Sequence, residues 1–105
     1  MRELTGKQRK YLRGRAHALK PVVLIGAKGL TPEQIKAIDA ALLTHELIKV
    51  KFLDHKEEKQ ELATAMATTV SGHLAGMIGN IAILYRPHPD PEKRRISLDA
   101  IGAEE

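Results

Sequence analysis

Lys28 is framed by two glycines three positions apart, in Gly26-Ala27-Lys28-Gly29. A glycine turn exposes backbone N–H groups and lets a second backbone approach, and a lysine inside it adds a full positive charge. Thr31 and Pro32 follow with the marks of a helix start, a good N-cap and a favoured first helical residue. Helix starts carry unpaired N–H groups and a partial positive charge, so the combination suits an anion such as phosphate. The chemistry is binding rather than nucleotide hydrolysis. A Walker loop needs a longer frame ending in Gly-Lys-Ser/Thr, and the dinucleotide fingerprint needs a third glycine.

The other reactive residue types compose nothing. His17, His45, His55, His73 and His88 are scattered without the close helical spacing of a metal site. Cysteine is absent, which removes disulfides, thiolate catalysis and zinc-thiolate sites together. Glu57, Glu58 and Glu61 fall on the first turns of a predicted helix, where charge matched to the helix dipole accounts for them. Ser71 and Ser97 have neither an elbow motif nor a base partner. No nucleophile, base and oxyanion hole come together, so the expectation is a protein that is no enzyme and uses no cofactor and no metal.

Charge points to a partner. Residues 1–30 hold eight bases (Arg2, Lys7, Arg9, Lys10, Arg13, Arg15, Lys20 and Lys28) against Glu3 alone, a net +7. The remaining 75 residues hold nine bases and twelve acids, a net −3. So uneven a distribution favours a polyanion for the first third of the chain. The aromatic residues are only Tyr11, Phe52 and Tyr85, whereas proteins that stack unpaired bases usually display several rings. Binding is therefore expected to lean on charge and backbone shape. No apolar run approaches the roughly 20 residues of a bilayer span, and no signal core opens the chain, so a cytoplasmic protein without membrane contact is expected.

The elements that must position these residues follow from periodicity. Thr5 to about Ala18 is a predicted helix, with Leu4, Tyr11, Leu12, Ala16 and Leu19 as its inward stripe. Val22–Ile25 is a short apolar run, which predicts a strand buried on both faces at the centre of a sheet. Pro32 to about Thr44 is a second helix on Ile35, Ile38 and Leu42, widened by Leu43. In Leu47–Phe52 the apolar Ile48, Val50 and Phe52 alternate with Lys49 and Lys51, a strand that points two lysines off one face. Asp54 is the predicted cap of a third helix reaching about Val70, closed by Ser71-Gly72. Leu74–Ile78 and Ile81–Arg86 form a hairpin around Gly79-Asn80. The order α-β-α-β-α-β-β makes one α/β domain with a mixed four-stranded sheet and crossover helices. Arg86 closes the last strand, either extending the basic surface or capping the sheet. Beyond Pro87, Pro89 and Pro91 the chain is a loose arm or a docked segment.

Several of these stretches resemble one family, the CRM domain, and most closely its small bacterial stand-alone form, the YhbY-like proteins. The resemblance is carried by Leu19-Lys20-Pro21-Val22-Val23 and by Ile25-Gly26-x-x-Gly29-Leu30-Thr31. His45-Glu46-Leu47-Ile48-Lys49-Val50-Lys51, Leu84-Tyr85-Arg86-Pro87 and Arg95-Ile96-Ser97-Leu98 continue it. It implies a domain over residues 1–98, followed by a 99–105 tail, with a fold like the C-terminal domain of a bacterial translation initiation factor. It further implies RNA binding and a non-enzymatic role in large-subunit ribosome assembly on precursor ribosomal RNA. On these positions Gly26, Ala27, Lys28 and Gly29 would meet the RNA backbone, flanked by Lys20 and by Lys7, Arg9, Lys10 and Arg13 of the first helix. Lys49, Lys51 and Arg86 join them as candidate RNA contacts. The loop is related in role to that of KH domains, although there it joins two helices and here a strand precedes it. The alternative function is a protein-interaction module recruited to ribosomes through a ribosomal protein. A phosphate-metabolite enzyme and a sequence-specific DNA binder fit less well, lacking an acid/base set and a helix-turn-helix pattern. A monomer is favoured.

Overall fold

Thr5 starts the first helix with a capping box: its hydroxyl accepts from the Gln8 amide, and the Gln8 side chain accepts from the Thr5 amide. In the computed structural model, which describes residues 3–98 and 101, this helix (α1) spans Gly6–Ala16. It ends two residues earlier than expected, which takes Leu19 out of the inward stripe and leaves it 37 % exposed. The chain then runs through β1 (Val23–Ile25), α2 (Pro32–His45), β2 (Leu47–Phe52), α3 (Lys59–Thr69), β3 (His73–Ile78) and β4 (Ile81–Tyr85). Short 3₁₀ turns lie at Lys56–Glu58 and Pro91–Lys93. Apart from Ile101, the 99–105 tail lies outside the described residues, as does Arg2.

The sheet order is β1-β2-β4-β3, with β1 parallel to β2 and the other pairs antiparallel. The expected α/β domain with a mixed four-stranded sheet is what forms. One expectation fails: β1 is an edge strand, not a central one. Val23 and Ile25 enter the core, whereas Val22 and Leu24 are 50 % and 49 % exposed. A four-residue apolar run does not distinguish burial on both faces from burial on one. Coverage decides, and α1 packs over β3, β2 and β4 instead.

Two apolar clusters hold the layers. On one face α2 and α3 bury Ile38, Leu42, Ala63 and Met66 against Ile25, Ile48, Val50, Phe52 and Leu84. Full burial of a side chain of this size is worth about 1.5–3 kcal/mol. Leu43, expected to widen the α2 stripe, is instead exposed. On the other face Leu12 and Ala16 of α1 pack with Leu47, Ala75, Ile83, Tyr85 and Ile96. Ile96 shows that the segment after Pro87 is docked, not loose. The third helix also begins later than expected. Asp54 caps nothing helical: its carboxylate accepts from the His55 amide, and a 3₁₀ turn intervenes before Lys59. At its other end Ser71 takes a positive φ of 56°, and the Ser71 and Gly72 amides donate back to Thr68 and Ala67, closing the helix as a Schellman motif.

His73 pairs with Tyr85 across the hairpin, their rings stacked with centroids 6.2 Å apart. Burial holds the His73 pKa below its ordinary 6.5, partly offset by Glu3. Below that value the unfolded chain takes up this proton more readily than the folded one, so stability rises with pH there and is lost on acidification. Thermal melts taken from about pH 8 down to about pH 5 are expected to lose less stability in a His73→Gln variant than in the native chain. Parallel curves for the two proteins would remove His73 as a cause.

Candidate nucleic-acid interface

The glycine turn leaves the buried end of β1 and is anchored on three sides. The Leu53 and Asp54 amides both donate to the Ile25 carbonyl, at 2.8 and 3.3 Å, and seal the strand end. The Gly29 amide donates to the Gly26 carbonyl at 3.0 Å, and Gly29 adopts φ +70°, which favours glycine. Across the turn stands His55, whose Nε2 lies 2.8 Å from the Ala27 carbonyl and therefore donates to it. A Cβ on Gly29 would touch that same ring nitrogen at 3.6 Å. Finally, Gln34 of α2 reaches back with its side-chain amide to the Leu24 carbonyl at 2.8 Å.

What this leaves outward is Ala27 and Lys28, both exposed. Among the described residues nothing accepts from their backbone amides. A Cβ on Gly26 would meet nothing within 4 Å, so its missing side chain serves no packing need inside the chain and keeps the outer surface of the turn open. The helix start behind the turn contributes less than the sequence suggests. Thr31 Oγ1 already accepts from the Gln34 amide, and Glu33 places a carboxylate in the first turn. What stays open to an anion here is the turn's own amides and Lys28.

The lysines of β2 extend this site. Alternation puts Lys49 and Lys51 on the same sheet face as Leu47, the face that α1 partly covers. Register places Leu24, Lys51, Ile81 and Ile78 in one row nearest the turn. The next row inward holds Lys49, Ile83 and Gly76. Arg13 lies across Gly76, where an added Cβ would come within 2.6 Å of its Cδ, and its guanidinium donates to the Ala75 carbonyl. Lys49 Nζ donates to the Leu19 carbonyl at 3.0 Å, steadying the chain that enters β1. The result is a strip of sheet open along its β1 side, with the turn at one end, while α1 closes the second row at Ile83 and Arg13 covers Gly76.

The sequence-predicted cations are thus spread along a face rather than gathered round the turn. Lys20 lies at the far end of β1 from Lys28, and residues 22–25 alone span about 13 Å. Lys7 and Lys10 are exposed on α1, Arg9 donates to the Leu4 carbonyl, and Arg15 donates to the Tyr11 hydroxyl. Arg86 is in the wrong place for this surface. It follows Tyr85 and so points to the opposite face, where it pairs with Asp39 at 2.6 Å and donates to the Val70 and Asp39 carbonyls. Of its two sequence readings the capping one holds, because it ties α2 and the end of α3 to the sheet.

Two residues that matter were not singled out by the sequence. His55 braces the turn through Ala27, 28 positions away in the chain, and no local spacing announces it. Glu46 is 2 % exposed, and its carboxylate accepts from the amides of His88, Arg95 and Ile96, fastening the segment beyond β4. Among the described residues no group of three or more His, Asp or Glu is placed to hold a metal, and no helix is long and apolar enough to cross a membrane.

The chain has known relatives. The sequence pattern of the CRS1 / YhbY (CRM) domain matches residues 4–86. The chain belongs to that family. A Haemophilus influenzae protein named "RNA-binding protein" is 42 % identical over 99 residues, covering 93 % of this chain and 97 % of its own. The Bacillus subtilis "Probable RNA-binding protein YqeI" is 38 % identical, over 90 % of this chain and 98 % of its own. The solution structure of the Staphylococcus aureus hypothetical protein SAV1595 superposes with a TM-score of 0.75 at 36 % identity, over 90 % of this chain and 99 % of that one. In this CRM domain the matched segment takes in α1, the glycine turn, both sheet lysines and Arg86.

Proposed function

We propose that this CRM domain binds precursor ribosomal RNA in the cytoplasm as a non-enzymatic assembly factor of the large ribosomal subunit. The observation that carries the reading is the turn itself: exposed Ala27 and Lys28 whose amides find no acceptor among the described residues, braced by His55, at the end of a sheet strip that bears Lys49 and Lys51. One phosphate sits on the amides of Ala27 and Lys28. Lys28, Lys51 and the α1 cations neutralise its neighbours, and the protein leaves once the RNA conformation it stabilises has been consolidated. The names of the relatives, which speak of RNA binding, support the partner class.

Charge-led binding of about five phosphates on unpaired RNA gives a slope of log K on log salt near −3.5, roughly a hundredfold loss between about 50 and 200 mM salt. A filter-binding or fluorescence titration across that range measures it, and a flat affinity would refute backbone neutralisation. For the target, crosslinking in cells followed by sequencing is expected to enrich large-subunit ribosomal RNA, with the enrichment lost in Lys28→Glu. Recovery of RNA without that enrichment would refute the assembly role.

A further inference from the structure

Beside the base of β1 a second feature opens, away from the glycine turn. The chain between α1 and β1, the end of α2 and the docked C-terminal segment enclose a cleft of about 390 Å³. Leu19, Val22 and Leu47 make its floor apolar, while Arg15, Lys20, His45 and Arg95 stand around it. Among the described residues no carboxylate lines it. The acid nearest in sequence, Glu46, is buried and occupied by three backbone amides.

We infer that this cleft takes one unpaired nucleobase of the bound RNA. The inference rests on the RNA reading above and adds a base site to what is otherwise a backbone grip. An apolar floor within a ring of cations matches a ligand that is itself a flat, weakly polar ring carried between phosphates. Guanidinium planes and imidazoles are surfaces on which splayed-out bases stack, and the rim supplies two guanidiniums and an imidazole where the chain is poor in aromatic rings. The position also fits. Val22 lies beside Lys49 by sheet register, and Lys49 holds the Leu19 carbonyl, so the cleft continues the strip that begins at the turn. The distance along β1, about 13 Å, is a few nucleotides of extended strand. An acidic peptide shares the charge but not the flat ring, and is the competing occupant.

The test compares a single-stranded RNA of about 12 nucleotides with an abasic backbone of equal length, both titrated against the full chain. The native protein is expected to prefer the RNA that carries bases by about tenfold. A Leu19→Gln, Val22→Thr double variant changes two side chains that are already 37 % and 50 % exposed, so folding is preserved and no charge is altered. It is expected to bind both backbones alike, with the abasic affinity and the salt slope of the native chain. A preference that survives in the variant overturns the base site. Equal affinity of the native chain for the two backbones also overturns it and leaves the backbone grip standing. Salt-insensitive or absent binding of both overturns the RNA reading together with the cleft.

Discussion

Reversing three exposed cations, Lys10→Glu, Lys28→Glu and Lys51→Glu together, is expected to cut RNA affinity about a hundredfold at 0.1 M salt while leaving the melting temperature nearly unchanged. Each lysine that neutralises a phosphate contributes about 0.7 to the salt slope on single strands, so losing three moves the slope from about −3.5 to about −1.4. At 0.1 M salt that is a factor of about five per contact, before any repulsion from the new carboxylates. None of the three side chains is buried, and surface substitutions of this kind usually stay within about 0.5 kcal/mol each. Arg13 is avoided because it packs on Gly76 and bonds Ala75, so its reversal would mix folding with binding. Titration at several salt concentrations, beside a thermal melt, reads both quantities. If affinity and slope both stay native, the turn and sheet strip are not the contact surface.

Glu46→Ala is expected to be the most destabilising single change, at about 3–4 kcal/mol. The substitution removes a buried carboxylate and leaves the amides of His88, Arg95 and Ile96 without their acceptor. Hydrogen bonds to charged groups are worth about 1.5–3 kcal/mol each, and a buried donor left unpaired costs about 1–3 kcal/mol. The losses are not additive, since the freed segment reaches water once Ile96 leaves the α1 cluster. Glu46 also sits at φ 64°, so alanine inherits the left-handed backbone without the bonds that hold it there. For a domain of this size the melting point falls by about 15 °C. Glu46→Gln keeps one acceptor oxygen but turns an amide group towards the His88 amide, so an intermediate loss is expected. Chemical denaturation measures all three proteins, and a loss under about 1 kcal/mol for alanine would show that the segment is held by packing alone. Because Arg95 and Ile96 line the nucleobase cleft, the same variant is expected to lose its preference for bases even under conditions where it is folded.

Local chemistry determined much of this protein from its sequence. Thr5 with Gln8, and Thr31 with Pro32, set two helix starts because caps act within one turn. The alternation from Leu47 to Phe52 determined which face Lys49 and Lys51 share, because strand side chains have a period of two. The turn from Gly26 to Gly29 was legible as a turn because a glycine turn is a local object. Tertiary structure alone decided what depends on neighbours distant in the chain. Whether β1 lies at the centre or the edge turns on which strands pair with it, and whether its second face is covered turns on where α1 packs; no property of Val22 to Ile25 encodes either. For Arg86 the sequence left a basic surface and a cap on the sheet both open, until Asp39 and Val70, 47 and 16 positions away, met it on the other face. His55 bracing the turn, Glu46 holding the last segment and the cleft enclosed by the α1–β1 connection, the end of α2 and that segment arise the same way. Each is a meeting of side chain and backbone across the fold, and such meetings leave no period or spacing in the sequence.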